Sequence, residues 1–391
     1  MTDAAPQHDR AQALDVGPIK VLVNDYAGHA FQIDLSNELA RRGHMVTHAF
    51  CDTNVTPRGD LEQSEGGPEI VGISTGRGFD KYNILKRLGG EIRYGVRAAQ
   101  LMRRTRPQVC INSNVPVASV VIITIAARIR RMRNVMWLQD FQAGLVAMSV
   151  GEKHPAARTA RWLERWCVRR ADHVVTISSG FEREVVSMGA GDRVTTIPNW
   201  APIVDLPVMD KRNEWAIANG VANRTVLLYS GTLGLKHRPE VLVELARRLF
   251  EVDSEAIVLV VSESIGVEWI EDQRTAADPL ANLWVLPFQP FEELPQVLGA
   301  ADLFIALLDA GAGEFSVPSK VLTYLCAGRP VLGLMPAKNA ASIMVNTVAE
   351  AGLVADDVSA FLDAGERLVS NAALRAEMGK RGRAFAESNF D

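Results

Sequence analysis

Lys320, in the first turn of a predicted helix, is well placed to bind an anion. The apolar run at 301–309 predicts a buried parallel strand, and Pro318 then opens a helix that ends at Gly328. A helix start presents free backbone N–H groups and the positive end of the helix dipole. Together with the lysine, these groups suit a ligand such as a diphosphate. The alternative is an ordinary strand–helix unit without a ligand.

A second loop with phosphate-binding character follows the predicted strand 225–230. It contains Gly231, Thr232 and Lys236, and an amphipathic helix begins after Arg238. Backbone amides and cations at a helix start form a phosphate cradle. A solvated group of cations at the helix start is the alternative.

Two carboxylates are candidates for acid–base chemistry. Asp140 follows the predicted strand 134–139, where it could orient an acceptor hydroxyl or take its proton; alternatively it caps the following segment. Glu314 lies in a Gly/Ala-rich loop ahead of Pro318 and is either a second catalytic candidate or a surface glutamate. Gly28, after the first strand, permits close approach of a ligand to the backbone or serves only a tight turn.

No metal site is predicted from the sequence. The chain has no HExxH, DxD or GxxxxGK[ST] motif, and its four cysteines are scattered without a CxxC pattern. We therefore expect no metal and no other cofactor, and the cysteines are expected to be core residues of a reducing compartment.

The strand and helix patterns alternate along the whole chain and predict an α/β fold of two doubly wound, Rossmann-like domains with a cleft between them. A proline-containing segment without periodicity separates the two halves. We expect an N-terminal domain at 18–200, a linker at 201–212, a C-terminal domain at 213–375 and a final helix at 376–391. The predicted strands are 19–25, 45–50, 68–74, 109–112, 134–139, 173–178, 193–198, 225–230, 256–262, 282–288, 301–308, 330–335 and 352–355.

The net charge of −4 is unevenly distributed. Residues 81–134 contain 12 Lys and Arg against one acid, Glu91, and an amphipathic helix is predicted at 82–105. Because acids for ion pairs are almost absent from this segment, we expect it to bind anionic lipid; a solvated basic surface is the alternative. No secretory signal is recognisable, and the longest apolar run, 115–127, is too short to span a bilayer. A cytoplasmic protein, peripheral on the inner face of a bacterial membrane, is therefore expected, with no nucleic-acid partner.

Several further motifs lie along the chain: the glycine loop after the first strand with RRGHMVTHAF (41–50), IPN (197–199), SGTLGLK (230–236) and FQPFEELPQVLGAADLF (288–304). Through these motifs, residues 19–390 resemble the GT-B glycosyltransferases of the family-4 type. SVPSKVLTYLCAGRPV (316–331) is most similar to the colanic acid and fucosamine transferases of bacterial surface-polysaccharide synthesis. The resemblance implies the GT-B fold, with an N-terminal acceptor-binding domain and a C-terminal nucleotide-sugar-binding domain.

The resemblance also implies roles for individual residues. Lys236 would bind the donor diphosphate, and the catalytic candidates are this lysine together with Asp140 and Glu314 from the interpretation of the residues above. His29 and Gln139 would lie on the acceptor side. The residues implied in donor binding are Gly28, Gly231, Thr232, Lys236, Phe288, Gln289, Ser319, Lys320 and Thr323.

The chain departs from the family pattern in its charged residues. The paired glutamates typical of the family would fall on Phe315 and Thr323, and Glu314 is one position from the first. The arginine of the usual phosphate-binding pair would fall near Ser230, so that Lys320, Arg238 or Arg329 would have to compensate. A histidine common on the acceptor side is replaced by Gln139–Asp140.

The expected function is that of a retaining, metal-independent transferase that moves a sugar from UDP or GDP to a hydroxyl of a glycan or lipid-linked acceptor. Retention is implied by the resemblance alone. Three other functions remain open: a GT-B epimerase of nucleotide sugars, an inactive partner subunit that binds a nucleotide sugar, and an NAD-dependent oxidoreductase.

Overall fold

The computed structural model describes residues 17–26, 28, 30–53, 65–75, 84–308 and 318–390. The chain divides into two compact units, residues 1–197 and 198–391. Residues 201–212, predicted as a linker, contribute the buried side chains of Ala201 and Leu206 to the core of the second unit.

Unit 1 is built around a parallel sheet of seven strands in the described residues, in the order β3-β2-β1-β4-β5-β6-β7. The strands β1 to β7 are Lys20–Asp25, Met45–Cys51, Glu69–Ile73, Val109–Ser113, Arg133–Leu138, His173–Thr176 and Val194–Thr196. The helices α1 to α6 are Ala30–Arg41, Ile84–Thr105, Val117–Ile129, Gln142–Val150, Pro155–Arg170 and Ser179–Met188.

Right-handed crossovers decide on which side of this sheet each helix packs. The chain moves from β1 to β2 in one direction along the sheet, and from β3 through β7 in the other. Helix α1 therefore covers one side, whereas α2, α3, α5 and α6 form a layer on the other. In agreement, α2 packs on α3, α3 on α5, and α5 on α6.

Unit 2 has a parallel sheet of six strands in the described residues, in the order β10-β9-β8-β11-β12-β13. The strands β8 to β13 are Thr225–Ser230, Ala256–Val261, Leu283–Leu286, Leu303–Leu307, Val331–Leu334 and Gly352–Ala355. The helices α7 to α14 are Glu214–Ala218, Pro239–Val252, Ile265–Asp272, Leu294–Gly299, Ser319–Cys326, Ala340–Ile343, Val358–Val369 and Ala372–Asn389. Short 3₁₀ turns at Leu235–His237 and Phe291–Glu293 and a π-helical turn at Met344–Val348 complete it.

The apolar strands of unit 2 are buried because helices cover both faces of the sheet. Every residue of β9 is buried, and so is every residue of β11. Such strands appear in a sequence as unbroken apolar runs rather than as alternating patterns. The prediction of a doubly wound α/β fold is confirmed: each predicted strand is present, with its ends shifted by at most three residues.

Helix α14 holds α11 in place. Arg383 Nη1 donates to the carbonyl oxygens of Cys326 (2.7 Å) and Leu206 (2.8 Å). A Cβ at Gly379 would lie 2.3 Å from the carbonyl oxygen of Gly328, so only glycine permits the close approach of the two helices. Pro318 precedes α11 as its N-cap residue rather than forming its first turn.

Within the described residues, no helix is both long and apolar enough to cross a membrane.

Candidate functional site

The carboxyl ends of β8 and β11 form the point at which the strand order of unit 2 reverses. These strands are neighbours, and the chain leaves them toward opposite edges of the sheet. Ligands of open α/β sheets bind outside the carboxyl ends of strands at such a switch point. The loop after β8 contains Gly231, and α11, which follows β11 along the chain, begins with Ser319 and Lys320.

The structure brings two of the sequence-predicted residues, Gly231 and Lys320, together. Gly231 has φ +116°, and a Cβ at this position would lie 3.5 Å from Lys320 Nζ. The ammonium group of Lys320 lies over the ring of Tyr229, 3.8 Å from its centroid. Tyr324 Oη fastens α11 to the end of β8, because it accepts from Ser230 N at 3.1 Å.

Burial lowers the pKa of Lys320 from its ordinary value to about 7. The Tyr229 ring below the ammonium attracts the positive charge only through its quadrupole. In the described part of the chain, no carboxylate forms an ion pair with Lys320. An anion bound at this point would favour the charged lysine and raise its pKa again.

The other cations proposed for this site have protein partners. Arg238 Nε lies 3.1 Å from Glu240 Oε1. Arg329 donates to the carbonyl oxygens of Ala301 at 2.9 Å and Met209 at 3.1 Å, so its role is structural. Compensation by Arg329 is therefore not supported, whereas Lys320 and Arg238, whose ion pair is half-exposed, remain candidates.

The loop 231–238 is internally hydrogen-bonded. His237 Nδ1 accepts from Gly234 N at 3.0 Å, and Tyr229 Oη donates to the carbonyl oxygen of Thr232 at 2.9 Å. Thr232 itself is exposed. Lys236 lies in the 3₁₀ turn that follows, and its side chain lies outside the described residues.

The neighbouring loop, after β9, braces the loop after β8. Leu233 N donates to Ser262 Oγ (3.2 Å) and Ser264 Oγ (3.1 Å), and Ser264 Oγ donates back to the Leu233 carbonyl at 2.6 Å. Gly266, at the start of α9, packs so closely that a Cβ there would lie 2.2 Å from the same carbonyl oxygen. The sequence analysis did not identify these residues.

A cavity of about 550 Å³ opens at the carboxyl ends of β9 and β10. Glu263, at its edge, accepts a hydrogen bond from Phe288 N at 3.2 Å. Parallel strands are about 4.8 Å apart, and β9 and β10 are two and three spacings from β11, so the cavity lies about 10–14 Å from the end of β11. The lining residues are Ser262, Glu263, Ser264, Val267, Glu268, Val285, Leu286 and Pro287.

The remaining donor-side candidates lie around these two features. Phe288 is exposed and follows β10. Gln289 Oε1 accepts from Trp215 Nε1 at 2.9 Å, so this amide ties the loop to α7. Ser319 is exposed and Thr323 is half-buried on α11. Glu314 lies outside the described residues.

In unit 1 the strand order reverses between β1 and β4, and a buried polar network lies there. Gly28, with φ +77°, donates its N–H to Asp25 Oδ1 at 2.7 Å. With its amide nitrogen turned to this carboxylate, Gln32 donates to Asp25 Oδ2 at 2.8 Å and accepts from Ser113 Oγ. Asp25 thus fixes the left-handed turn at Gly28. The sequence feature that could have identified Asp25 is its position as a carboxylate at the very end of an apolar strand.

His48 belongs to the same network. Its Nδ1 lies 2.8 Å from Ser36 Oγ, and its Nε2 lies 3.9 Å from Asp25 Oδ2. Burial lowers the pKa of His48 to about 4, so the imidazole is neutral near pH 7. His29, expected on the acceptor side, lies outside the described residues.

The segment after β5 presents Asp140 to solvent, whereas Gln139 is buried. Asp140 is not the N-cap of α4, since that position belongs to Phe141 and carries no side-chain cap. Instead Glu164, from α5, accepts from Ala143 N at 3.4 Å. Burial raises the pKa of Glu164 to about 7. The sequence analysis did not identify Glu164, which holds the helix next to Asp140.

The basic segment 81–134 has more partners than its composition indicates. Arg104 Nη2 lies 3.3 Å from Glu69 Oε1, and Arg133 Nη1 lies 3.4 Å from Asp172 Oδ1. Arg93 and Arg97 donate to backbone carbonyl oxygens of Thr75 and Ser74. The expectation that ion pairs are missing here was therefore wrong in part, because the acids come from outside the segment.

Other cations of this layer face solvent. Arg128, Arg130 and Arg131, at the end of α3, are exposed and have no ion pair with any residue that the structure describes. Apolar side chains are also exposed on three helices of this layer, and their exposed fractions reach 75% at Ile129 and 63% at Trp162. The others are Leu88, Ile92, Val96 and Ile125.

No group of three or more His, Cys, Asp or Glu side chains in the described ranges is arranged to hold a metal ion. Metal independence stays a prediction.

Comparison with known families matches both units. A model described as "Glycosyl transferase 4-like domain" matches residues 32–200, and one described as "Glycosyl transferases group 1" matches residues 211–385. WcaI of Escherichia coli K12, whose role as a colanic acid biosynthesis glycosyl transferase is itself a prediction, is 28% identical over 213 residues. That match covers 52% of this chain and 51% of WcaI, so it spans about half the length of this relative.

Solved structures resemble the whole chain. The structure of Anabaena Alr3699/HepE in complex with UDP and glucose has a TM-score of 0.71 at 16% identity, with 95% of this chain and 96% of that chain covered. The sucrose-phosphate synthase of Thermosynechococcus elongatus has a TM-score of 0.72 at 15% identity, with 95% of both chains covered. At these identities the likeness establishes the fold.

Proposed function

We propose that this chain, which belongs to the GT-B glycosyltransferases and combines a glycosyl transferase 4-like domain with a group 1 domain, transfers a sugar from a nucleoside diphosphate to a hydroxyl acceptor. The observation that carries the proposal is the contact of Lys320 with the Gly231 loop at the switch point of unit 2. Anabaena HepE, which shares the fold, was solved with UDP and glucose.

In this proposal the donor diphosphate binds where the Gly231 loop meets the start of α11. The bond between the sugar and the diphosphate breaks, and negative charge develops on the leaving phosphate oxygens. Lys320, Lys236 and the backbone N–H groups of α11 stabilise that charge, which is the largest single contribution in many transfer reactions. These cations supply the charge stabilisation that a metal ion provides in other transferases, and we propose that no metal is required.

The acceptor is proposed to bind to unit 1. Asp140 is exposed at the carboxyl end of β5, where it can orient an acceptor hydroxyl and take its proton as the new glycosidic bond forms. Retention of the anomeric configuration is proposed from the family resemblance. The relationship to WcaI supports a glycan or lipid-linked acceptor of surface-polysaccharide synthesis.

The test is incubation of the protein with UDP-, GDP- and TDP-sugars and a bacterial lipid extract, with the products followed by NMR. Transfer with an unchanged anomeric configuration supports the proposal, and an inverted product contradicts retention. Lys236→Ala is expected to lower turnover by about 100-fold, the effect of removing one group that stabilises developing charge. A new epimer formed from the donor alone would indicate an epimerase instead.

We also propose that the α2–α3–α5 layer of unit 1 binds an anionic membrane on the cytoplasmic face. Leu88, Ile92 and Val96 lie four residues apart on one side of α2 and are each more than 40% exposed. Exposed arginines at the end of α3 lie in the same layer. Apolar insertion and attraction of cations to anionic lipid act together at such surfaces.

Flotation with liposomes tests this surface. We expect binding to vesicles with phosphatidylglycerol, weaker binding in high salt, and little binding to neutral vesicles. Ile129→Ser should weaken binding, whereas Val204→Ser, at an exposed apolar residue of unit 2, should not. Equal partitioning onto neutral and anionic vesicles would contradict the electrostatic contribution.

A further inference from the structure

The cavity at the ends of β9 and β10 has the chemistry of a site for one particular nucleobase. Its walls include the apolar side chains of Val267, Leu286 and Pro287, which can pack against the faces of a flat ring. Its polar groups include the carboxylates of Glu263 and Glu268. Carboxylates repel the phosphates of a nucleotide. Two carboxylates in this cavity are therefore favourable only if the group bound there carries hydrogen-bond donors.

Glu263 is the better-fixed of these two carboxylates. Its Oε1 atom accepts from Phe288 N at 3.2 Å, which holds the side chain, from the loop after β9, against the loop after β10. An ionised carboxylate can accept about four hydrogen bonds, so this single bond leaves capacity for about three more. The side chain is exposed and hence accessible to a ligand.

A carboxylate that only accepts hydrogen bonds discriminates between the bases of nucleotides. Guanine carries two adjacent donors, N1–H and the exocyclic N2 amine, which match the two oxygens of a carboxylate. Uracil and thymine carry one N–H between two carbonyl oxygens, and those oxygens would be repelled. Charge-assisted, bidentate pairs are shorter and stronger than single neutral hydrogen bonds.

We infer that this cavity selects guanine, with Glu263 as the residue that reads N1–H and the N2 amine, so that the donor is a GDP-sugar. The inference rests on the proposed function, because it assumes a nucleoside diphosphate whose phosphates lie at Lys320. Lys320 Nζ lies at the end of β8, two strand spacings or about 10 Å from the end of β10, a separation that an extended nucleoside diphosphate can span.

The experiment is calorimetric binding of GDP, IDP and UDP to the full chain and to two variants. IDP keeps N1–H of the base and lacks only the N2 amine. We expect GDP to bind at least about tenfold more tightly than IDP, the factor for one hydrogen bond to a charged group, and more tightly than UDP. Glu263→Gln should reduce the GDP-to-IDP ratio to within about threefold.

Glu268→Gln is the comparison variant, because it removes the other carboxylate of the same cavity, for which the described residues show no hydrogen bond to the loop of Phe288. It should leave the GDP-to-IDP ratio unchanged. Binding of inorganic pyrophosphate should be the same in the protein and in Glu263→Gln, which separates base recognition from folding and from phosphate binding.

UDP binding as tight as GDP binding would overturn the inference, and so would an unchanged GDP-to-IDP ratio in Glu263→Gln. A ratio altered by Glu268→Gln instead would remove the role of Glu263. If none of the three nucleotides binds, the proposed function itself fails, which is a different outcome from binding without preference for guanine.

Discussion

At the scale of single residues, Lys320 lies at a proposed anion-binding position and yet is buried in surroundings that disfavour its charge. It faces the Gly231 loop, where an anion is proposed to bind, and it rests on the Tyr229 ring in surroundings that disfavour its charge. Burial lowers its pKa to about 7, so near neutral pH the unliganded lysine is partly neutral. A bound diphosphate would favour the ammonium form.

We therefore predict that nucleoside diphosphate binding takes up protons. Above pH 7 the free lysine is largely neutral and the bound lysine is charged, so close to one proton is taken up at pH 8 and almost none at pH 6. Affinity should fall as pH rises above about 7. Calorimetry in buffers of different ionisation enthalpy measures the number of protons.

Lys320→Met provides the control for this prediction. It should weaken binding and abolish the difference in proton uptake between pH 6 and pH 8. Proton uptake that persists in Lys320→Met would assign the effect to another group.

At the scale of elements, the loop after β8 is positioned by α9. The Leu233 backbone is hydrogen-bonded by Ser262 and Ser264, and Gly266 of α9 packs directly on its carbonyl oxygen. The loop thus owes its conformation to the neighbouring strand and helix. Its glycine at 231 has φ +116°, a backbone conformation that residues with a side chain rarely adopt.

Gly266→Ala should displace this loop, because the new Cβ would overlap the Leu233 carbonyl. We expect a loss of about 1–3 kcal/mol in the free energy of unfolding, typical of overpacking, together with weaker nucleotide binding. Urea unfolding and calorimetry measure the two effects.

Gly89→Ala is the matched control, since Gly89 also lies in a helix but has no heavy atom within 4 Å of the position that the new methyl group would take. It should leave stability unchanged or raise it by up to about 1 kcal/mol. Equal effects of the two substitutions would contradict the proposed contact.

At the scale of the whole molecule, two buried groups of unit 1 give pH dependences of opposite sign. The folded-state pKa of His48 is lowered to about 4, so its contribution to stability is lost as pH falls below about 6.5. The pKa of Glu164 is raised to about 7, so its contribution is lost as pH rises from about 4.5 to 7. Each shift corresponds to up to about 3 kcal/mol.

Single substitutions should reveal each contribution. On acidification from pH 7 to pH 5, the free energy of unfolding of Glu164→Gln should fall relative to that of the unmodified protein. The free energy of unfolding of His48→Gln should rise relative to it. Urea unfolding at both pH values provides the measurement. The same sign of change in both variants would show that other groups dominate this pH range.

Most of the fold could be predicted from the sequence. Strands such as β8 and β9 are short apolar runs bounded by turn residues, and local composition is sufficient to identify them because both faces of the sheet are buried. The switch-point loops could be predicted as well, since glycine and lysine at a helix start are local signals. Gly231 and Lys320 are therefore recognisable one by one, without knowledge of their contact.

The contacts themselves were decided by tertiary structure. Ser113 is distant in sequence from Asp25 and Gln32 and meets them only because β1 and β4 are neighbours. Glu164, from α5, accepts a hydrogen bond from the first turn of α4, and Glu263, from the loop after β9, contacts the loop after β10. Side chains that act across strands leave no periodic signal along the chain.

For the charged residues, too, the sequence determines the composition and the tertiary structure determines the contacts. The sequence by itself determined that residues 81–134 are strongly basic, and only the fold decided which of those cations are paired. Arg104 forms an ion pair with Glu69, and Arg133 forms one with Asp172. By contrast, Arg128, Arg130 and Arg131 are exposed. The physical reason is that composition is a property of a segment, while pairing requires atoms within about 4 Å, which chain folding alone brings together.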